Sequence, residues 1–203
     1  MGIDQKLARL LEHPAVWRGR SVAPLRVLPT GFAALDAQLP GKGWPRTGLI
    51  EILLGRFGSG EFDLLLPALG ALTHAVAARW CVWVAPPLMP FAPALVSRGV
   101  ALDRVAVVNG ARPLWALEQA LGSGACDAAL GWARQPQPRE IRRLQLAAER
   151  GRTLGVLFRP RRAAREPSAA ILRLSLGPCA AGVRITLLKG RGAHGSVDLN
   201  LLA

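Results

Sequence analysis

From Leu49 onward, apolar segments of strand length alternate with helix-length segments that carry one apolar face, and this alternation restricts the chain to few folds. Strands covered on both faces are continuously apolar, and a strand–helix–strand crossover returns the second strand parallel to the first. The expected strands are 49–54, 80–85, 105–108, 126–131 and 153–158, with helices at 61–78, 90–98, 113–121 and 138–151. After Arg159 the pattern changes. The apolar segments 169–176, 183–188 and 196–201 are separated by loops alone, which predicts antiparallel strands at the end of the sheet. The fold class is therefore α/β: a mostly parallel twisted sheet flanked by helices, with antiparallel strands at its C-terminal end.

Ahead of this core, Ile3, Leu7, Leu10 and Leu11 fall on one face of a helix over 3–13, and Pro14, Gly19 and Pro24 break it. Residues 1–26 thus read as an N-terminal helical arm and 27–203 as the core domain. An amphipathic helix needs a surface to lie on, so Ile3, Leu7, Leu10, Leu11 and Trp17 are candidate docking residues, toward the chain's own core or toward a partner. Pro29-Thr30-Gly31 reads as a turn into a short helix over 32–39 with Thr30 as N-cap. Trp80, Trp83 and Trp132 lie in expected strands and Trp115 on an expected helix, which predicts core packing, whereas Trp17 and Trp44 lie outside them and suit an interface.

Lys and Arg number 26 against 13 Asp and Glu, a net charge of +13 that suits an anionic partner such as nucleic acid. The bias of Arg over Lys, with abundant Ala, Gly and Pro, also arises from a GC-rich genome. The densest basic stretch is Arg159, Arg161, Arg162 and Arg165, the candidate DNA contact; with little aromatic interleaving, binding there would be weak and indifferent to sequence. Cys81, Cys126 and Cys179 are odd in number and sit in or beside apolar segments, which predicts buried thiols, and the histidines lack ligand spacing, so no metal is expected. No apolar run reaches the roughly 18 residues of a bilayer span, and Asp4, Lys6, Arg9 and Glu12 interrupt the start as no signal peptide would. A cytoplasmic protein without membrane contact is expected.

The strand over 49–54 runs into Gly55-Arg56-Phe57-Gly58-Ser59-Gly60-Glu61-Phe62, which has the position, glycines and spacing of a strand-to-helix phosphate loop. A working loop ends in Gly-Lys-Ser/Thr, because the ammonium neutralises the phosphates and the hydroxyl ligates Mg²⁺. Here Glu61 repels phosphate and Phe62 cannot hold a metal. Gly55, Gly58, Gly60, Glu61 and Phe62 are therefore read as a degenerate loop. Val84-Ala85-Pro86-Pro87 supplies no carboxylate to activate water, and Asp127 stands at the wrong end of its strand for a metal ligand. No catalytic residue and no cofactor is expected; residual nucleotide binding through the backbone amides is the alternative, and Glu61 argues against it.

Pro29-Thr30-Gly31, Leu35-Asp36 and Gly43-Trp44-Pro45, followed by the strand and its loop, resemble the start of a RecA ATPase core. Longer stretches resemble the ImuA family, among them Trp83-Val84-Ala85-Pro86-Pro87, Leu114-Trp115-Ala116-Leu117-Glu118-Gln119-Ala120-Leu121, Leu130-Gly131-Trp132, Arg142-Arg143-Leu144-Gln145-Leu146-Ala147-Ala148-Glu149 and Leu157-Phe158-Arg159-Pro160. The resemblance covers about 12–201. It implies a RecA-like core and a non-catalytic accessory role in SOS-induced, error-prone translesion DNA synthesis. The implied partners are RecA and ImuB, an inactive relative of Y-family polymerases, and through ImuB an error-prone replicative-type polymerase. It also implies kinship with the division inhibitor SulA, hence an alternative as a division-inhibiting regulator, beside the DNA-binding alternative that the arginines offer. Relative to RecA, 133–138 is very short where a first DNA-binding loop would lie, and Arg159 to Arg165 stand where a second would.

Overall fold

The computed structural model describes residues 26–58, 60–180, 182–190 and 195–201. The expected N-terminal helix, with Ile3, Leu7, Leu10, Leu11 and Trp17, lies outside the described residues. The elements in chain order are β1 (Val27–Leu28), α1 (Ala33–Gln38), β2 (Trp44–Pro45), β3 (Gly48–Leu54), α2 (Leu66–Thr73), β4 (Trp80–Val84), α3 (Ala92–Ser97) and β5 (Val105–Val108). They continue with α4 (Pro113–Gly122), β6 (Cys126–Trp132), α5 (Pro138–Gly151), β7 (Leu154–Pro160), β8 (Leu172–Cys179), β9 (Gly182–Lys189) and β10 (Gly195–Leu199). A 3₁₀ turn, Arg161–Arg165, follows β7.

The main sheet has the order β10-β9-β8-β3-β7-β6-β4-β5. The pairs from β8 across to β5 are parallel, and β9 and β10 add antiparallel. This is the mixed α/β architecture that the alternating pattern predicts, with one correction: β8, expected as the first antiparallel strand, runs parallel to β3, because the 3₁₀ turn Arg161–Arg165 and residues 166–171 carry the chain back across the sheet before β8 begins. β3 is central and buried at every position. Its Ile50, Ile52 and Leu54 join Val156, Phe158, Leu174 and the α2 residues Leu66, Leu69 and Leu72 in one cluster. Leu49 joins Leu157, Ala129, Leu117 of α4 and Ile141, Leu144 and Ala148 of α5 in the second. Each Leu, Ile, Val or Phe among them contributes about 1.5–3 kcal/mol on burial, and the two clusters lie on opposite faces of the sheet.

Helix α5 occupies the predicted span because its local signals agree. Pro138 opens it, the Glu140 carboxylate accepts from the Gln137 N–H at 2.6 Å, Ile141, Leu144 and Ala148 form its apolar stripe, and Arg152 closes it in the left-handed region at φ 53°. The predicted helix 61–78 is much shorter. Residues 61–65 form turns, α2 begins at Leu66, and at the other end the Thr73 hydroxyl bonds back to the Leu69 and Gly70 carbonyls. The predicted strand 169–176 slides to Leu172–Cys179, because the Ser168 hydroxyl turns the chain by accepting from Ala170 N–H at 3.1 Å. Thr30 is not the N-cap of α1, a position held by Phe32; its hydroxyl accepts from Phe32 N–H while Asp36 accepts from Thr30 N–H, both at 3.0 Å.

Candidate functional site

The carboxyl end of β3, where the glycine loop begins, borders the carboxyl ends of β7 and β8. In open α/β sheets this edge is where ligands bind. Here the chain fills it with its own side chains. Glu61 is buried, and its carboxylate accepts from the Gly58 N–H at 2.7 Å. A backbone donor of the kind that would cradle a phosphate thus already serves a carboxylate. Gly60 has φ 88°, and a Cβ there would lie 2.8 Å from Leu201, so glycine is required for the turn itself. Gly55 meets no such crowding, and Gly58 has φ 78°.

Phe62 points into the core. Its ring lies 5.0 Å from Trp83 at the end of β4, 5.7 Å from Trp132 at the end of β6 and 6.2 Å from Phe158 of β7, while Trp132 and Phe158 stack at 4.9 Å. Such ring pairs contribute about 0.5–1.5 kcal/mol each beyond the area they bury. Where a metal-assisted site would need hydroxyl and carboxylate oxygens, this edge holds four aromatic rings. Asp127 sits at the amino end of β6, buried, accepting from the Arg79 N–H at 2.8 Å and Nε at 3.2 Å, with Arg46 at 3.4 Å. It anchors the opposite edge of the sheet, 48 residues distant from Arg79 in sequence. Among the described residues no group of three His, Cys, Asp or Glu side chains is placed to hold a metal ion.

Arg159 corrects the sequence reading. It is fully buried and cannot face DNA: its guanidinium bonds Glu51 at 2.9 Å and Glu166 at 2.6 Å. Glu51, also fully buried, bonds Arg173 of β8 at 2.6 Å, and Arg173 donates to the Ala163 and Glu166 carbonyls at 2.8 and 3.0 Å. This network ties the 3₁₀ turn Arg161–Arg165 to the sheet and leaves Arg161, Arg162 and Arg165 exposed. The glycine loop, Phe62 and the arginine turn thus share one edge, whereas Arg159 belongs beneath it. Composition gave no hint of the network, but position did: a lone Glu within Leu-Ile-Glu-Ile-Leu-Leu and a lone Arg within Leu-Arg-Leu are charges in continuous strands, which persist only when paired. The tryptophan assignments also change. Trp83 and Trp132 are core residues, but Trp44 is fully buried, while Trp80 and Trp115 are 43% and 50% exposed because they lie at a strand start and on an outer helix face.

Fold and site together define an α/β protein whose phosphate-type loop is filled from within. No protein-family model matches the chain. It is 31% identical over 175 residues to the protein ImuA of Caulobacter vibrioides, covering 78% of this chain and 71% of that protein. It is 32% identical over 136 residues to the cell division inhibitor SulA of Klebsiella aerogenes, covering 64% and 79% respectively. Against SulA of Photorhabdus laumondii the identity is 34% over 102 residues, and the chain spans only 58% of that protein's length. The crystal structure of SulA from Pseudomonas aeruginosa is 23% identical, with 55% of this chain and 97% of that chain covered and a TM-score of 0.46. The chain belongs to the family of ImuA and its SulA relatives.

Proposed function

We propose that this protein is a non-catalytic accessory factor of SOS-induced, error-prone translesion synthesis. In this reading it has a RecA-like core, acts in the cytoplasm and works by protein contact with RecA, ImuB or both. ImuB would connect it to the error-prone replicative-type polymerase. The observation that carries the reading is the filling of the loop by Glu61 and Phe62, which removes the charge and the metal ligand that ATP turnover requires. A core of this kind that cannot take up ATP would interrupt a RecA filament it joined and so limit its growth. Contact rather than chemistry is also supported by the segment after β4, where Leu88, Met89 and Phe91 are 78%, 71% and 70% exposed and Val96 of α3 is 56% exposed. Large apolar side chains clustered in the open mark protein-contact surfaces. No helix among the described residues is long and apolar enough to cross a membrane.

The test is light scattering after size exclusion of the protein mixed with RecA and, separately, with ImuB, each with and without ATP and single-stranded DNA. A defined complex with either is expected. Binding to neither, together with ATP hydrolysis by the protein alone, would overturn the proposal. The SulA relatives favour a second reading, inhibition of a division protein, which a pull-down with FtsZ tests directly: capture of FtsZ with no RecA or ImuB complex would put that reading first.

A further inference from the structure

The charge surplus is not spread evenly. On the sheet face covered by α4 and α5, Glu118 is held by Arg143, Glu140 by the Gln137 N–H, Glu149 by Gln145 and Glu166 by Arg159. The exposed Arg139, Arg142, Arg161, Arg162 and Arg165 form no ion pair among the described residues. All five lie toward one edge. Helix α5 starts after the carboxyl end of β6 and the 3₁₀ turn after the carboxyl end of β7. The turn lies on the same face as α5, since Glu51, which anchors it through Arg173, alternates with Ile50 and Ile52 and so shares the face of Leu49, whose N–H donates to Gln145 of α5.

At the same edge α4 begins with a different feature. Trp115 is half exposed, and the Arg112 guanidinium lies 5.1 Å from its ring centroid. The pair opens onto a cleft of about 380 Å³ between α4 and α5, bordered by Glu118, Glu140, Arg143 and Leu144. A guanidinium on an exposed indole is a flat π platform of the kind that stacks an unpaired base. The carboxylates of Glu118 and Glu140 repel phosphate from the cleft but can accept hydrogen bonds from the N–H groups of an unpaired base.

We infer that this face binds single-stranded nucleic acid, with the backbone along Arg139, Arg142, Arg161, Arg162 and Arg165 and a base stacked at Trp115 and Arg112. A base inside a duplex has no free face to offer, and an acidic peptide would use the arginines without the indole. The inference is independent of the proposed contacts with RecA or ImuB, since it concerns the isolated full chain.

Fluorescence anisotropy of the full chain with a labelled oligo(dT) of about 20 nucleotides, titrated with NaCl, tests it. Five phosphate contacts predict a log–log salt slope of about −3.5, and Arg139→Gln with Arg142→Gln should reduce its magnitude by about 1.4. Trp115→Ala should weaken binding about 5- to 150-fold, while Trp115→Phe retains most of the affinity, each with an unchanged melting temperature. A slope near zero, wild-type affinity in Trp115→Ala, tighter binding of a duplex of equal length, or equally tight binding of poly-glutamate would each overturn it.

Discussion

Strand β3 serves two unlike faces. Toward α2 it presents Ile50, Ile52 and Leu54, and beyond its end Phe62 packs against Trp83, Trp132 and Phe158, so that the edge is closed by apolar rings. Toward α5 the same strand presents Leu49 and the fully buried Glu51, which holds Arg159 and Arg173. The first face fills with aromatic rings the edge where a metal-assisted site would need oxygen ligands. The second uses buried charge to fix a turn whose outer arginines form no ion pair among the described residues. The filled loop end and the anchored basic turn are therefore separate features of one strand, and they are separable by substitution.

The largest effect is expected at Glu51. Glu51→Gln leaves Arg159 and Arg173 buried beside a neutral amide, and breaking a buried pair from one side costs about 3–5 kcal/mol. Urea denaturation would read this as a lower midpoint with little change in slope. Removing all the charges together, in Glu51→Leu with Arg159→Met and Arg173→Met, is expected to cost less than the single change, because no ion is left uncompensated. Glu166→Gln should cost only about 0–1 kcal/mol, since this carboxylate is half exposed and screened. A Glu51→Gln protein as stable as the wild type would erase the distinction between the two faces.

Phe62 tests the aromatic face, with a smaller effect. Phe62→Ala should cost about 2–3 kcal/mol, below the range for a fully buried ring because Phe62 is only partly buried. Restoring the loop ending with Glu61→Lys and Phe62→Thr is expected to give no ATP binding by calorimetry. Helix α2 starts at Leu66, away from the loop, and Trp83 and Trp132 still stand at the strand ends. Measurable ATP binding in that variant would mean that two side chains alone separate this loop from a working one. Glu61→Gln is milder, about 1–2 kcal/mol, because the amide oxygen can still accept from the Gly58 N–H.

Elements whose signals are local were legible in the sequence, and those fixed by distant partners were not. Helix α5 was legible to the residue because proline, capping box and apolar stripe coincide at its ends. Strands β3 and β5 were legible because they are short, apolar and bounded by loops. The first turns of the expected helix 61–78 failed because propensity there is overridden by a tertiary fact, the anchoring of Glu61 on Gly58 and of Phe62 on rings far away in sequence. The expectation of a degenerate loop rests on Glu61 and Phe62, and their residue types alone did not reveal that the carboxylate bonds Gly58 and the ring packs on Trp83 and Trp132. Arg159 was misread because a run of arginines looks like one surface feature, while strand alternation turned this member inward, beside Glu51, 108 residues away. No spacing rule links such distant partners; only the isolated charge within each apolar strand hinted at them.

The smallest effect concerns the thiols, and it sharpens the comparison from within the sheet. Cys81 of β4 is fully buried, and burial, followed by the negative charge of Asp127, pushes its thiol up to about 12 from an ordinary 9.0. Cys126 of β6 is raised as well, chiefly by burial. Cys179, at the end of β8, is only partly buried. A disulfide reagent at mildly alkaline pH should therefore label Cys179 first, with Cys81 and Cys126 reacting only as β4 and β6 open. Because the folded Cys81 keeps its proton to about 12 while the unfolded thiol releases it near 9.0, the linked stability is full below 9.0 and is lost as pH rises through this interval. Labelling of Cys81 at the Cys179 rate would show that β4 and β6 open without global unfolding. The rings of Trp83 and Trp132, carried by those same strands, would then guard the loop only part of the time.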